Sequence, residues 1–377
     1  MEKRRYKNTD MEISLLGLGC MRLPKLDPEK DEIDYAKAQE IVDYAYAHGI
    51  NYFDTAYRYH GGDSELFVGQ ALKKYPRESF YLATKLPIWM AETPEDVERI
   101  FNDQLARCQV EYFDFYLCHS QNSANFDKIV KFGAYDFLKK MKAEGKIRHL
   151  GFSFHDKPEV LQRIVDTYEW DFAQIQLNYL DWEMQDAKAQ YEILEKAGIP
   201  VIIMEPVRGG FLAAPGAEAE AKLKAAAPDR SVASWAIRYA ATLPGVMTVL
   251  SGMSNMEQIA DNVATMTGFA PLSEAEYALL DDVVNNCLKK DFVPCTGCRY
   301  CMDCPFGVDI PKMFAIYNNY ALTKNAERFL KAYHEAPESE RVHNCQQCGA
   351  CMEQCPQHIQ IPEKLKMIGE LVERLSK

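Results

Sequence analysis

The chain has 377 residues, 43 basic against 55 acidic side chains and a formal charge of −12, with 47% apolar and 26% charged residues. That composition is ample for a large core and argues against nucleic acid as the main partner, since no basic stripe offsets the acidity. No run approaches the ~18 apolar residues needed to span a bilayer. The opening MEKRRYKNTD lacks the apolar stretch of a secretion signal, so a cytoplasmic protein with no membrane partner is expected.

From about residue 12 to 265, short apolar runs alternate with longer amphipathic stretches. Candidate strands are 15–19, 51–54, 80–85, 113–118, 147–151, 171–176, 200–204 and 245–250. Helical patterns at 36–49, 94–108 and 158–168 lie between them, and Gly145 and Gly198 sit where helices hand over to strands, as C-caps. Eight β-α units in series are the number that closes a (β/α)8 TIM barrel, an α/β fold. A doubly wound open sheet would instead need G-x-G-x-x-G after the first strand, and GLGCMR lacks the third glycine.

A helix over 271–288 leaves the barrel, after which the composition turns abruptly to Cys, Pro and Gly. The expected domains are therefore 1–288, the barrel, and 289–377, a small second domain. Of 12 cysteines, Cys20, Cys108, Cys118 and Cys287 are scattered and read as small buried hydrophobes. The rest form two motifs, CTGCRYCMDCP (295–305) and CQQCGACMEQCP (345–356). The second matches C-x2-C-x2-C-x3-C-P, the ligand spacing of a [4Fe–4S] cluster, with zinc as the alternative. In two-cluster ferredoxins the fourth Cys of each motif serves the other cluster. That pairs Cys295, Cys298 and Cys301 with Cys355, and Cys345, Cys348 and Cys351 with Cys304. The first motif has two residues, not three, before its fourth Cys, so the crossing of Cys304 is the weaker half. The stretch 312–336 reads as helix.

In the barrel, Asp54 closes the second strand, Tyr59 follows five residues later, Lys85 closes the third and His119 follows the fourth. Active sites of such barrels lie at these C-terminal strand ends, and four polar groups gathered there are costly unless they form a site.

GINYFDTAYRYHGGDSELFVGQAL (49–72), with KIRHLGFS (146–153), resembles the aldo-keto reductases. The resemblance implies a catalytic tetrad in which Tyr59 donates a proton, Lys85 and Asp54 tune it, and His119 orients a carbonyl. The chemistry agrees: a free Tyr has a pKa of ~10, a nearby ammonium lowers it, and a neutral His can polarise a carbonyl oxygen. The five-residue offset selects Tyr59 over Tyr57. The resemblance also implies contacts to a nicotinamide nucleotide, NAD(P)H. Ser153 and Gln174 match residues that hold the nicotinamide carboxamide, while Phe154 replaces the usual Asn. MEPVRGGFL (204–212) resembles the loop that wraps the pyrophosphate, with Met204, Pro206, Gly209, Gly210 and Leu212. SGMSNMEQIADN (251–262) resembles the adenosine segment, with Ser251, Met253, Gln258 and Asn262. Where NADP-specific members carry Lys and Arg to pair the extra phosphate, this chain offers Gly252 and Gln258, which favours NADH.

The cysteine region resembles the α-helical ferredoxin class, with IPKMFAIY and IPEKLKMI as matching helices. GCMRLP (19–24) together with PCTGCRYCMDCPFGVDIP resembles the subgroup of aldo-keto reductases that carries this C-terminal extension. The implied function is an oxidoreductase that reduces an aldehyde or ketone, or oxidises the alcohol. The alternatives are an iron-sulfur electron-transfer enzyme using a redox partner protein or a flavin such as FMN, for which no specific signature is present, and a nucleotide-bound redox sensor.

Overall fold

A computed structural model of the chain describes all residues except 8, 28, 29, 289–291, 303 and 377. They fold as two compact units, one of Met1–Pro206 with Ser234–Glu274 and one of Val207–Ala233 with Ala275–Lys377. The expected domain boundary, after residue 288, falls on 289–291, outside the described residues. Among those described, no helix is long and apolar enough to cross a membrane.

The first unit is a closed barrel of eight parallel strands, as the β-α alternation predicts. Its strands are β1 (Leu16–Gly19), β2 (Tyr52–Asp54), β3 (Tyr81–Leu86), β4 (Phe113–Gln121), β5 (Ile147–Phe154), β6 (Phe172–Gln176), β7 (Val201–Met204) and β8 (Val246–Ser251). Neighbours in sequence pair throughout, and β8 closes on β1 through Val249–Leu16 and Ser251–Leu18. Gly145 and Gly198 take the left-handed conformations (φ 78° and 67°) needed to turn from helix to strand. The helix Pro94–Cys108 starts on a capping box of Thr93 and Asp96.

The barrel interior is filled, not hollow. Phe115 stands at its centre, with the rings of Tyr52 and Phe172 each 5.1 Å away and Tyr6 at 5.8 Å. Tyr6 and Ile13 come from a short antiparallel hairpin, Lys3–Arg5 with Glu12–Ser14, and are buried in the same cluster as Phe115, Leu117 and Ile202. Inward positions of alternate strands thereby pack in layers, leaving the strand C-termini to carry polar groups.

In the second unit the helix expected over 271–288 is α-helical at Glu274–Val283 and passes into a π-helical turn at Val284–Leu288. The helix expected over 312–336 is two helices, Ile310–Thr323 and Ala326–Glu335. Lys324 ends the first with a left-handed residue (φ 53°), and the Asn325 side chain accepts from Arg328 N–H to start the second. The apolar period runs through this junction, but an Asn that caps is worth more there than one that stays helical. The helices Ile310–Thr323 and Ile361–Leu375 both begin with Pro near the first turn, where its missing N–H costs nothing.

Candidate active site and cysteine groups

The four strand-end residues come together. Asp54 is the last residue of β2 and Lys85 lies near the end of β3, and the register of the pair sets Asp54 beside Ala83. The Lys85 ammonium donates to Asp54 Oδ1 at 2.7 Å, to the Thr55 carbonyl at 2.6 Å and to the Tyr59 hydroxyl oxygen at 3.3 Å. Tyr59 opens a 3-10 turn after β2. His119 lies on an extension of β4 past the expected end at Cys118, where the register with β5 shifts between Cys118 and Gln121. Ser120 there adopts φ 50° and donates its N–H to Ser153 Oγ at 2.7 Å. That bulge aims His119 at the centre of the site, its ring 6.0 Å from that of Tyr59 and 5.0 Å from that of Trp89. Tyr57 is committed elsewhere: its hydroxyl donates to Asp103 at 2.8 Å.

All four side chains are buried, and burial governs their charge. It pushes the Tyr59 phenol well above its ordinary value, with Asp54 and Glu205 adding to the rise and Arg22 opposing it. The lowering expected from Lys85 is therefore not what the site delivers, because the ammonium is paired with Asp54, whose own charge acts the other way. Tyr59 is thus a neutral phenol that retains its proton. Burial also raises the Asp54 carboxyl, against the pull of Lys85. His119 is pushed well below its ordinary value by burial, then by Lys85 and His155, and is a neutral imidazole at physiological pH.

Behind this group lies a buried carboxylate that the strand-end reading missed. Glu65 accepts from Thr84 Oγ1 and Gln104 Nε2 at 2.6 Å each and from Arg107 Nε at 2.9 Å, while Gln104 also donates to the Lys85 carbonyl at 3.0 Å. The signal was present: Glu65 falls on the buried face of Asp63–Leu72, in step with Val68 and Leu72. Also missed was the ion pair of Arg22 with Glu205 at 3.0 Å, which joins the turn after β1 to the end of β7. Glu205 is held at φ 54°, and its carbonyl accepts from Asn178 Nδ2 at 3.0 Å.

Among the expected nucleotide contacts, Ser153 and Gln174 are side by side on β5 and β6 and both are buried. Gln174 Nε2 donates to the Met204 sulfur at 3.5 Å, and its buried Oε1 has no protein partner. A buried amide oxygen left this way is a fit for an external amide N–H. Ser251 accepts from Asn262 Nδ2 at 3.0 Å, and Met253 is buried beside them in sequence. Gln258 is occupied locally, its Oε1 accepting from Ser254 N–H at 2.7 Å at the start of Met256–Met266. Pro206 ends the first unit, and Gly209, Gly210 and Leu212 belong to the second.

The scattered cysteines Cys20, Cys108, Cys118 and Cys287 are all buried, as expected. The other eight fall into two groups. Burial first, and then the thiols of Cys298, Cys295 and Cys355, push the Cys301 thiol up; at Cys351 burial again leads, with the thiols of Cys345, Cys304 and Cys348 adding to it. Asn318 holds the approach to the first motif, accepting from Val293 N–H at 2.7 Å and donating to its carbonyl at 2.8 Å. Cys304, Cys345, Cys348 and Cys351 line one open pocket, which Cys301 of the other group also borders. Among the described residues, no three His, Cys, Asp or Glu converge as on a single ion. The C-x2-C-x2-C-x3-C-P spacing of the second motif is that of a [4Fe–4S] cluster's ligands.

Residues 15–285 match the family model described as the aldo/keto reductase family, and residues 294–360 that of a 4Fe-4S dicluster domain. The chain is 28% identical over 312 residues to L-galactose dehydrogenase of Arabidopsis thaliana, covering 76% of this chain and 96% of that protein. It is 26% identical over 326 residues to the NADH-specific methylglyoxal reductase of Escherichia coli, covering 75% and 98%. Among solved structures, aldo-keto reductase AKR11C1 from Bacillus halodurans in its holo form superposes with a TM-score of 0.62 at 28% identity, covering 75% of this chain and 96% of that one.

Proposed function

The chain belongs to the aldo/keto reductase family and carries a C-terminal 4Fe-4S dicluster domain, and from that premise we propose that it is an NAD(P)H-linked oxidoreductase that reduces a small aldehyde or ketone to the alcohol, or runs the reverse. The observation that carries this reading is the Lys85 ammonium, bonded at once to Asp54 Oδ1 at 2.7 Å and to the Tyr59 hydroxyl at 3.3 Å. Tyr59, neutral and with its oxygen already accepting from Lys85, is free to donate its own O–H to the carbonyl oxygen. The phenolate so formed is stabilised by Lys85, which Asp54 holds in place. His119, neutral, hydrogen-bonds and orients the same oxygen. When bound, the nucleotide supplies a hydride to the carbonyl carbon. In this reading Ser153 and Gln174 hold its amide, Met204 packs beside the ring, and Pro206, Gly209, Gly210, Leu212, Ser251, Met253, Gln258 and Asn262 flank its phosphates and adenosine. Segment 251–262 contains no Lys or Arg, which supports NADH over NADPH.

We assign the barrel chemistry to 1–288 and the clusters to 289–377. Cys295, Cys298, Cys301 and Cys355 would hold one cluster and Cys304, Cys345, Cys348 and Cys351 the other, in keeping with the two thiol groups. When bound, the clusters supply one-electron capacity, so passage of electrons to or from a partner protein is the second reading.

The test is Tyr59→Phe. Carbonyl reduction should fall by about 10²-fold or more with nucleotide affinity retained; unchanged turnover would remove Tyr59 from the reaction.

A further inference from the structure

The loop after β7 packs on the segment that carries the first cysteine motif. β7 ends at Met204, yet Val207–Ala233 belongs to the second unit. Gly209 has φ 63°, and a Cβ there would run into the carbonyl oxygen of Thr296 and lie 2.9 Å from its carbonyl carbon. Only glycine permits that approach. Thr296 is itself buried and stands between Cys295 and Cys298. Two residues of the same loop grip the segment just before the motif. The Phe211 ring stacks on Phe292 with centroids 5.3 Å apart and planes 22° apart, and the Arg208 guanidinium lies 5.2 Å from the Phe292 centroid. Arg208 is 1% exposed and, at φ 50°, adopts a conformation that a non-glycine residue holds only when its surroundings enforce it.

We propose that filling of the Cys295, Cys298, Cys301 and Cys355 site sets the affinity for the nucleotide by fixing the loop Val207–Leu212. This rests on the reading above in which Gly209, Gly210 and Leu212 contact the pyrophosphate. Thiolates bound to one cluster hold the backbone of 295–301 in a single conformation, and Thr296 then forms a fixed wall for Gly209. With the thiols unlinked, that wall regains conformational freedom and the loop with it, so a nucleotide must order both as it binds. Linkage is reciprocal: a bound nucleotide stabilises the wall and with it the cluster. Through this loop, iron supply or oxidative loss of one cluster becomes a control on the nucleotide-dependent reaction.

The experiment is an anaerobic NADH titration, followed by fluorescence, on the full chain with both clusters, on the same chain stripped by a chelator, and on cluster-loaded Gly209→Ala and Phe292→Ala. The first variant drives the loop off Thr296, and the second removes the stack without adding bulk. NADH should bind about tenfold more weakly to the stripped chain and to both variants. Saturating NADH should also slow chelator-driven iron loss from the unaltered protein, a readout that does not depend on the stripped chain staying folded. Affinities equal within about twofold in every form, with iron loss indifferent to NADH, would overturn the coupling and leave the nucleotide site standing. No NADH binding to the cluster-loaded chain would overturn the nucleotide reading itself.

Discussion

Replacing Lys85 by Met is the sharpest probe of the barrel site. The Met side chain fills a similar volume but removes a buried ammonium that makes three hydrogen bonds, at 2.6, 2.7 and 3.3 Å. Its main partner, Asp54, is 3% exposed; Lys85 bonds to Oδ1, and Asp54 Oδ2 has no hydrogen bond. Breaking one side of a buried pair costs about 3–5 kcal/mol when the remaining charge is stranded. Asp54 can escape that cost by taking up a proton, and burial already raises its carboxyl. Without Lys85, which holds it down, its folded pKa rises further. From the ordinary carboxylate range near ~4 up to that raised value, the folded variant binds more protons than the unfolded chain. Stability must therefore fall as pH rises through this window. Urea unfolding of Lys85→Met and the unaltered protein at about pH 5 and pH 8 reads this directly, with the full penalty of about 3–5 kcal/mol approached at the higher pH. Adding Asp54→Asn should restore most of the loss and abolish its pH dependence. A Lys85→Met variant that loses less than about 1 kcal/mol, equally at both pH values, would refute a charged pair at this position.

The remaining predictions concern other parts of the site. Because burial and the Lys85 charge hold His119 well below its ordinary value, it takes up a proton only at pH well under ~6.5; carbonyl reduction should show no His119 titration between about pH 6 and 8, and a break near 6.5 that disappears in His119→Gln would contradict this. Glu65→Leu leaves Arg107 and Gln104 of the helix Pro94–Cys108 without their carboxylate and should cost about 3–5 kcal/mol by urea unfolding, whereas Glu65→Gln, which keeps the volume and an acceptor oxygen, should cost less; equal losses would show that the charge alone, and not the hydrogen bonding, carries the stabilisation. Cys304→Ser should damage only the cluster of Cys345, Cys348 and Cys351, so about half the iron is retained with the other cluster's spectrum intact; loss of the Cys295 cluster instead would show that ligation is not crossed.

The sequence by itself determined the barrel and the polar residues that its strand ends bring together. Each strand is a short apolar run and each helix an amphipathic one, patterns written in neighbouring residues, so all eight strands fall within a few positions of expectation. Asp54, Tyr59, Lys85 and His119 were legible because a parallel barrel gathers its strand ends on one rim, whatever lies between them. The cysteine motifs were legible because they are local, three cysteines of each falling within seven residues. Only the tertiary structure decided what depends on burial and on residues distant in sequence. It joined Arg22 to Glu205 across 183 positions and set Glu65 among Thr84, Gln104 and Arg107. It also reversed the shift expected for Tyr59, since removing a phenol from water outweighs an ammonium already spent on Asp54. The loop after β7 makes the same point: its glycines suggest only a turn, and nothing local says that Gly209 will rest on Thr296. Periodicity reports which face of an element is apolar, whereas desolvation and contact partners exist only once the chain has closed on itself.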